Sequence, residues 1–244
     1  MISVIIPTYG QEKLVKTCIS YLKDFCNLEK EIIVIDDGFG IDIEDDSITF
    51  IKHKSNYGFS CSVNAGIKRA KYDKIVLCNS DVFIHPGCIE KLVFALENYA
   101  DIVGAKLLYP DGTIQHAGIV YMGNKNFFHY KTEQPSQFVP VTGALIAFKK
   151  EVIEKIGGFD ERYFVAFEDV DFCFRAIKAG LKVLYYNEAV AIHLEGATRG
   201  RTYKEKMEVN PEAFKKEIKG KNFFDTKYKD EEIIKLCKPT PLAV

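Results

Sequence analysis

The stretch Ile2-Ser3-Val4-Ile5-Ile6-Pro7-Thr8-Tyr9 opens the chain as a short apolar run rich in β-branched residues, closed by a proline. Such a run reads as a buried strand, with Pro7 ending it. Residues 11–25 follow with Leu14, Val15, Cys18, Ile19 and Leu22 at helical spacing. Residues 31–35 form a second apolar run, ending at Asp36-Asp37-Gly38, and residues 48–51 a third. A helix over residues 58–70, a fourth strand over 74–78 and a helix over 86–99, with Pro86 near its first turn, continue the alternation.

Strands alternating with helices predict βαβ units, hence an α/β fold with a mostly parallel central sheet flanked by helices. Short β-branched runs fit strands covered on both faces. In such sheets ligands sit beyond the carboxyl ends of the strands. Pro7-Thr8-Tyr9, Asp36-Asp37 and Asn79-Ser80-Asp81 all fall at such ends, so three polar clusters converge on one site.

The second half reads differently. Residues 101–109 and 114–122 are expected as strands around a turn at Pro110-Asp111-Gly112, residues 123–140 as a loop and 141–148 as a strand. A short helix over 150–156, a helix over 168–179 and extended pieces at 182–186 and 189–193 complete it. From about residue 202 Lys and Glu dominate, with Phe214, Ile218, Phe223, Phe224, Ile233, Ile234 and Leu236 interspersed. This tail reads as amphipathic helices, packed on the domain or used for a homodimer or a peripheral membrane contact.

With 244 residues, 47% of them hydrophobic, the chain can bury a sizeable core. A net charge near −1 argues against a nucleic-acid partner. No apolar run approaches the roughly 20 residues that span a bilayer. The first residues lack the basic run of a signal peptide, so a cytoplasmic location is expected, at the inner membrane face if the acceptor is lipid-linked. The seven cysteines are scattered and never spaced C-x-x-C, which fits reduced, buried thiols.

Phe167-Glu168-Asp169-Val170-Asp171-Phe172-Cys173-Phe174-Arg175 places three carboxylates in one first helical turn, and His193 follows a short strand. Carboxylates there suit the helix dipole whatever else they do. Glu168 or Asp171 can pair with Arg175, leaving Asp169 to point elsewhere as a base. Asp37 is a turn residue or a hydrogen-bond acceptor for a nucleobase or ribose. Asp81 is a helix cap or a hard oxygen ligand for Mg²⁺ or Mn²⁺. With His193 it can hold one divalent cation, a combination suited to metal-assisted group transfer. Arg199, Arg201 and Lys204 lie in a glycine-bearing loop able to close over phosphates. His116 is a candidate for the acceptor side.

Taken in order, Val4-Ile5-Ile6-Pro7-Thr8-Tyr9, Ile35-Asp36-Asp37-Gly38, Asn56-Tyr57-Gly58-Phe59 with Asn64-Ala65-Gly66, Leu77-Cys78-Asn79-Ser80-Asp81, Thr142-Gly143-Ala144, Gly157-Gly158-Phe159-Asp160, Glu168-Asp169 and His193 resemble a family 2 glycosyltransferase with the GT-A fold. The resemblance implies a domain over residues 1–201, with a nucleotide-binding half (1–100) and an acceptor-binding half (101–201), followed by a charged extension (202–244). It implies nucleotide contacts from Pro7, Thr8, Tyr9, Glu12, Asp37, Asn56, Gly58, Asn79, Ser80 and Arg199. It implies Mn²⁺ or Mg²⁺ on Asp81 and His193, and catalysis by Asp169 as general base with Glu168 beside it. Asn79 stands where the family's D-x-D motif has its first Asp. The stretch over residues 109–118 resembles members acting in bacterial polysaccharide assembly, including rhamnosyltransferases. The implied reaction is inverting transfer from a UDP-, dTDP- or GDP-sugar to a glycan or lipid-linked acceptor. A degenerate domain that only binds glycan is the non-enzymatic alternative. A nucleotidyltransferase lacks its glycine-rich basic loop after the first strand, and a dinucleotide enzyme lacks its G-x-G-x-x-G.

Overall fold

The computed structural model describes residues 1–123, 126–196 and 202–242. Its first half alternates β1 (Ile2–Thr8), α1 (Glu12–Phe25), β2 (Lys30–Asp36), β3 (Ile48–Lys52), α2 (Phe59–Arg69), β4 (Lys74–Cys78), β5 (Val82–Ile84) and α3 (Cys88–Asn98). The second half adds β6 (Ile102–Leu108), β7 (Ile114–His116), β8 (Ile119–Tyr121), β9 (Phe127–His129), β10 (Gln137–Phe138), β11 (Leu145–Lys149), α4 (Lys150–Ile156), α5 (Glu168–Lys178) and β12 (Val183–His193). Helices α6 (Tyr203–Val209), α7 (Pro211–Lys227) and α8 (Asp230–Leu236) and the short β13 (Thr240–Pro241) follow.

The main sheet runs β13-β10-β12-β6-β11-β4-β1-β2-β3. Strands β4, β1, β2 and β3 are mutually parallel, β11 is antiparallel to both its neighbours, and β12 is parallel to β6. Side chains of a strand alternate between faces. Ile2, Val4 and Ile6 accordingly join α1 and α3 in one buried layer, while Ile5 joins α2, α4 and α5 in the other. Each face thus carries helices, as the continuous apolar strands required.

Several boundaries differ from expectation. β1 continues through Pro7 to Thr8, because its pairing with β2 persists to Thr8↔Asp36 while that with β4 stops at Ile5↔Leu77. The missing Pro7 N–H therefore costs no ladder bond. Pro86 lies outside α3, whose cap is the left-handed Gly87. The expected single strand over 114–122 is two, β7 and β8, broken at Gly118, which has φ +102° and whose Cβ, if present, would lie 2.7 Å from Val139. The expected loop over 123–140 contains β9 and β10, and the expected strand over 141–148 starts only at Leu145. The two extended pieces near the end of the domain are one strand, β12, with an irregularity between Tyr186 and Val190.

The charged tail folds back on the domain. Phe224, Tyr228 and Ile233 form a third buried cluster with Ile119, Tyr163, Val170 and Phe174. Ile218 and Ile234 of the same tail remain exposed. Asp171, fully buried in α5, accepts hydrogen bonds from Arg175 Nε (2.7 Å), Lys227 Nζ (2.5 Å) and Tyr228 Oη (2.9 Å). Arg175 also donates to the carbonyls of Ile156 and Gly158. Of the two expected partners of Arg175, Asp171 is the one used. Removing a buried phenylalanine typically costs about 3–5 kcal/mol. Phe224→Ala should therefore lower urea-unfolding stability by about that amount in a single transition. A tail that melts separately, leaving domain stability unchanged, would contradict this packing.

Candidate active site

A cleft of about 460 Å³ lies at the carboxyl ends of β1, β2 and β4. Its walls include Pro7, Thr8, Tyr9, Asp37, Asn56, Gly58, Asn79, Ser80, Asp81, Glu168, Asp169 and His193. The folding thus brings together nearly all the residues singled out from the sequence. Glu12 is one exception: it sits in the first turn of α1, ion-pairs with Lys16 at 2.5 Å, and is absent from the cleft lining. Its place on α1 follows from the helix starting one residue after Gln11. Arg199 and Arg201 lie outside the described residues.

The two adjacent carboxylates after β2 divide their work. Asp36 accepts N–H bonds from Phe39 (3.1 Å), Gly40 (2.8 Å) and Ile41 (3.1 Å), fixing the turn that leaves the sheet. Asp37 accepts from the N–H of Tyr57 (2.9 Å) and Gly58 (2.8 Å) and meets His53 Nδ1 at 2.9 Å. A carboxylate has about four lone-pair sites, so Asp37 retains capacity toward the cleft. Exposed aromatic rings flank it: Tyr9 against Phe39 at 5.3 Å, and Tyr57 against His53 at 5.3 Å. Gly58 needs its glycine, since φ is +97° and a Cβ would lie 2.7 Å from Phe164.

At the end of β4, the Asn79 N–H bonds to the Ala144 carbonyl at 2.8 Å, tying this turn to the segment before β11. Asn79 Oδ1 is buried and has no hydrogen-bond partner among the described residues. Such an orphaned acceptor invites a ligand donor or water. Asp81 Oδ1 lies 3.3 Å from His193 Nε2, both side chains being largely buried. Two ligands bound side by side to one cation, each at about 2.1 Å, lie about 3 Å apart. The carboxylate oxygen suits Mn²⁺ or Mg²⁺, with further oxygens from a phosphate or water, and the imidazole nitrogen favours the transition metal of the two. The pair therefore fits a divalent cation completed by other ligands. No cluster of three or more His, Cys, Asp or Glu suited to a metal occurs among the described residues.

Asp169 is held at the start of α5. Its Oδ2 accepts the Gly143 N–H (2.9 Å) and the Thr142 hydroxyl (3.1 Å), and its Oδ1 accepts the Val170 N–H (2.8 Å). The chain enters α5 through Ala166 (φ +67°) and Phe167 (φ +69°), two consecutive left-handed residues with side chains. Each such residue costs on the order of 1–3 kcal/mol and persists only where its surroundings enforce it. Here the Phe59 N–H holds the Phe164 carbonyl at 2.8 Å, and Phe167 packs on Phe224 of α7. The tail thereby supports the turn that presents Glu168 and Asp169.

Sequence reading missed five contributors. Gln115 and His129 line the cleft, whereas His116, the expected acceptor-side residue, is fully buried behind them. Neighbours on a strand face opposite ways, so β7 could present Gln115 or His116, and only the pairing with β6 decides. Helices α6 and α7 add Lys206 and Glu217, ion-paired at 2.7 Å, together with Asn210. A polar tail gives no signal that it returns to the cleft.

The sequence model of glycosyl transferase family 2 matches residues 3–157. The O-antigen biosynthesis protein RfbC of Myxococcus xanthus is 32% identical over 56% of this chain and 12% of its own length. The N-acetylglucosaminyl-diphospho-decaprenol L-rhamnosyltransferase of Mycobacterium tuberculosis is 30% identical over 53% of this chain and 49% of its own. The chain thus spans half or less of the length of these relatives. A mannosyltransferase from Pyrobaculum calidifontis, solved with GDP-Man and Mn²⁺, superposes with a TM-score of 0.62 at 16% identity, covering 89% of this chain and 64% of that one. That likeness shows the fold, GT-A. The chain belongs to glycosyl transferase family 2.

Burial pushes the His116 imidazole well below its ordinary value, and it pushes His129 down as well. The unfolded chain then binds more protons than the folded one below about pH 6.5. The stability that neutral histidine lends is full above that pH and is lost as pH falls toward the lowered folded values. Asp160 behaves oppositely: burial alone would raise it, but Arg162 and Lys227 hold it at about 2. Its contribution is lost only at much lower pH. The melting temperature should therefore drop between about pH 7 and pH 5, before the carboxylates titrate, with a smaller drop in His116→Gln. A flat wild-type profile over that window would contradict the burial of these rings.

Proposed function

We propose that this member of glycosyl transferase family 2 moves a sugar from a nucleoside-diphosphate donor to a hydroxyl of a glycan or lipid-linked acceptor, with inversion at the anomeric carbon. The observation that carries the reading is the convergence of the Asp81–His193 pair and Asp169 on one cleft at the carboxyl ends of the parallel strands. The Mn²⁺ and GDP-Man bound by the mannosyltransferase of the same fold support a metal and a nucleotide sugar. The mycobacterial relative's name supports a deoxyhexose donor and a lipid-linked acceptor. UDP-, dTDP- and GDP-sugars remain the candidate donors. We assign residues 1–100 to the donor side, 101–201 to the acceptor side, and 202–244 to an extension that buttresses both.

In this mechanism the nucleobase and ribose lie between Tyr9 and Tyr57, against Pro7 and Thr8, with Asp37 accepting from an imide or hydroxyl. Asn56 and Gly58 shape that wall, and Asn79 and Ser80 face the ribose and diphosphate. Asp81 and His193 would hold a divalent cation, which would supply charge neutralisation for the departing diphosphate. Asp169 takes the proton of the acceptor hydroxyl. The hydroxyl oxygen forms the new bond to the anomeric carbon as the bond to the diphosphate oxygen breaks. Thr142 and Gly143 orient the Asp169 carboxylate, and the buried Glu168 lines the wall beside it. Asn79, in place of an acidic residue, would leave Asp81 the one carboxylate of this turn able to hold a cation.

General-base catalysis supplies about 10²–10⁴-fold. Asp169→Asn should lose transfer by that order while keeping nucleotide-dependent thermal stabilisation. Equal loss of both would remove Asp169 from the role of base. A panel of nucleoside diphosphates with and without Mn²⁺ should show one base raising the melting temperature, more so with Mn²⁺. The neutral Asn79 favours one rival, a domain that binds glycan without turnover. Donor hydrolysis by the wild type no faster than by Asp169→Asn would support that rival.

A further inference from the structure

The Asp81–His193 pair has a neighbour that fixes its chemistry. Gln115 on β7 is 2% exposed and meets His193 twice. Its Nε2 donates to the His193 backbone carbonyl at 3.1 Å, and its Oε1 lies 2.6 Å from His193 Nδ1. A backbone carbonyl can only accept, so the amide atom facing it must be nitrogen. The amide oxygen then faces Nδ1, and an amide oxygen can only accept. Nδ1 must therefore carry hydrogen. A neutral imidazole protonated at Nδ1 keeps its lone pair on Nε2, and Nε2 is the atom 3.3 Å from Asp81 Oδ1.

We infer that Gln115 is a positioning residue: through its double hydrogen bond it holds His193 in the Nδ1–H tautomer and leaves the Nε2 lone pair on the Asp81 side, where a cation shared with that carboxylate would bind. This inference rests on the metal-binding reading of that pair. Apart from the Asp81 contact at Nε2, the other constraints fix only the His193 backbone. His193 pairs with Val82, and the Leu194 N–H bonds to the Asp81 carbonyl at 3.1 Å. Neither restrains rotation of the ring or the choice of nitrogen, so Gln115 does what the strand ladder leaves undone. A second group that accepts a hydrogen bond from the far ring N–H of a ligating histidine sets its orientation and basicity, and losing it typically weakens metal binding about 10–100-fold.

The test begins with the whole, unmodified chain. Histidine-selective ¹⁵N NMR should report His193 protonated at Nδ1 and unprotonated at Nε2, its signal assigned by absence in His193→Ala. The Nε2–H tautomer would overturn the proposal outright. Gln115→Leu should then show a mixture of tautomers and an affinity for Mn²⁺ with inorganic pyrophosphate, followed by electron paramagnetic resonance, lowered about 10–100-fold. Should that variant fold poorly, Gln115→Met keeps the volume and serves the same comparison. Unchanged tautomer and affinity in the folded variant would also overturn the role. His193→Ala separates the two claims. If it leaves Mn²⁺ affinity unaltered, the metal reading fails; if it weakens Mn²⁺ while the Gln115 variants do not, the positioning role alone fails.

Discussion

The antiparallel pairing of β5 with β12 is the constraint on which the cleft depends. Three residues of β5 meet the end of β12 in the register Ile84↔Ala191, Phe83↔Ile192 and Val82↔His193. The Asp81 carbonyl extends this ladder by accepting the Leu194 N–H. Residues more than a hundred positions apart in sequence are thereby set side by side. A slip of one residue would turn every side chain of the strand to the opposite face. His193 would leave Asp81, and the Gln115 contact would be lost with it. The long β12 can reach this far because it runs beside β6 for most of its length and resumes pairing after its irregularity.

A second constraint acts from outside the sheet. Asp171 lies two residues after Asp169 in the same helical turn, yet its carboxylate faces away from the cleft, toward Arg175, Lys227 and Tyr228. Breaking a buried, multiply bonded charge is costly because it strands its partners. α5 is therefore fixed at its first turn by two opposed sets of bonds: Thr142 and Gly143 on Asp169, and the tail on Asp171. The left-handed pair Ala166 and Phe167 is tolerated between them. Helix α7 is part of the wall that presents the proposed base, and with Lys206 and Asn210 it closes one side of the same cleft.

Much of the first half was legible in the sequence because strong periodicity and strong punctuation coincide there. The runs around Val4, Val34 and Val76 can only be doubly covered strands, and their polar ends, Thr8, Asp37 and Asp81, fall together once the strands are parallel. What escaped reading was set by tertiary context. β5 is three residues between Asp81 and Pro86, too short to show a period. The break at Gly118 reflects close approach of Val139, which only the folded chain reveals. Glu12 and His116 were sensible choices by residue type, but helix phase and strand parity put Glu12 beside Lys16 and His116 in the core. The tail's aromatic residues gave amphipathicity without saying what they would cover. They cover the chain's own Tyr163, Val170 and Phe174.

The central claim is that Asp81 and His193 jointly hold a divalent cation beneath the donor's diphosphate. The most direct measurement is anomalous diffraction from crystals grown with Mn²⁺ and the nucleoside diphosphate that stabilises the protein most. The account predicts one anomalous peak bonded to both the Asp81 carboxylate and His193 Nε2, with the phosphate oxygens completing its coordination and the base lying by Asp37. Nucleotide bound in the cleft with Mn²⁺ elsewhere, or held by phosphates alone while Asp81 and His193 stay paired to each other, would contradict it.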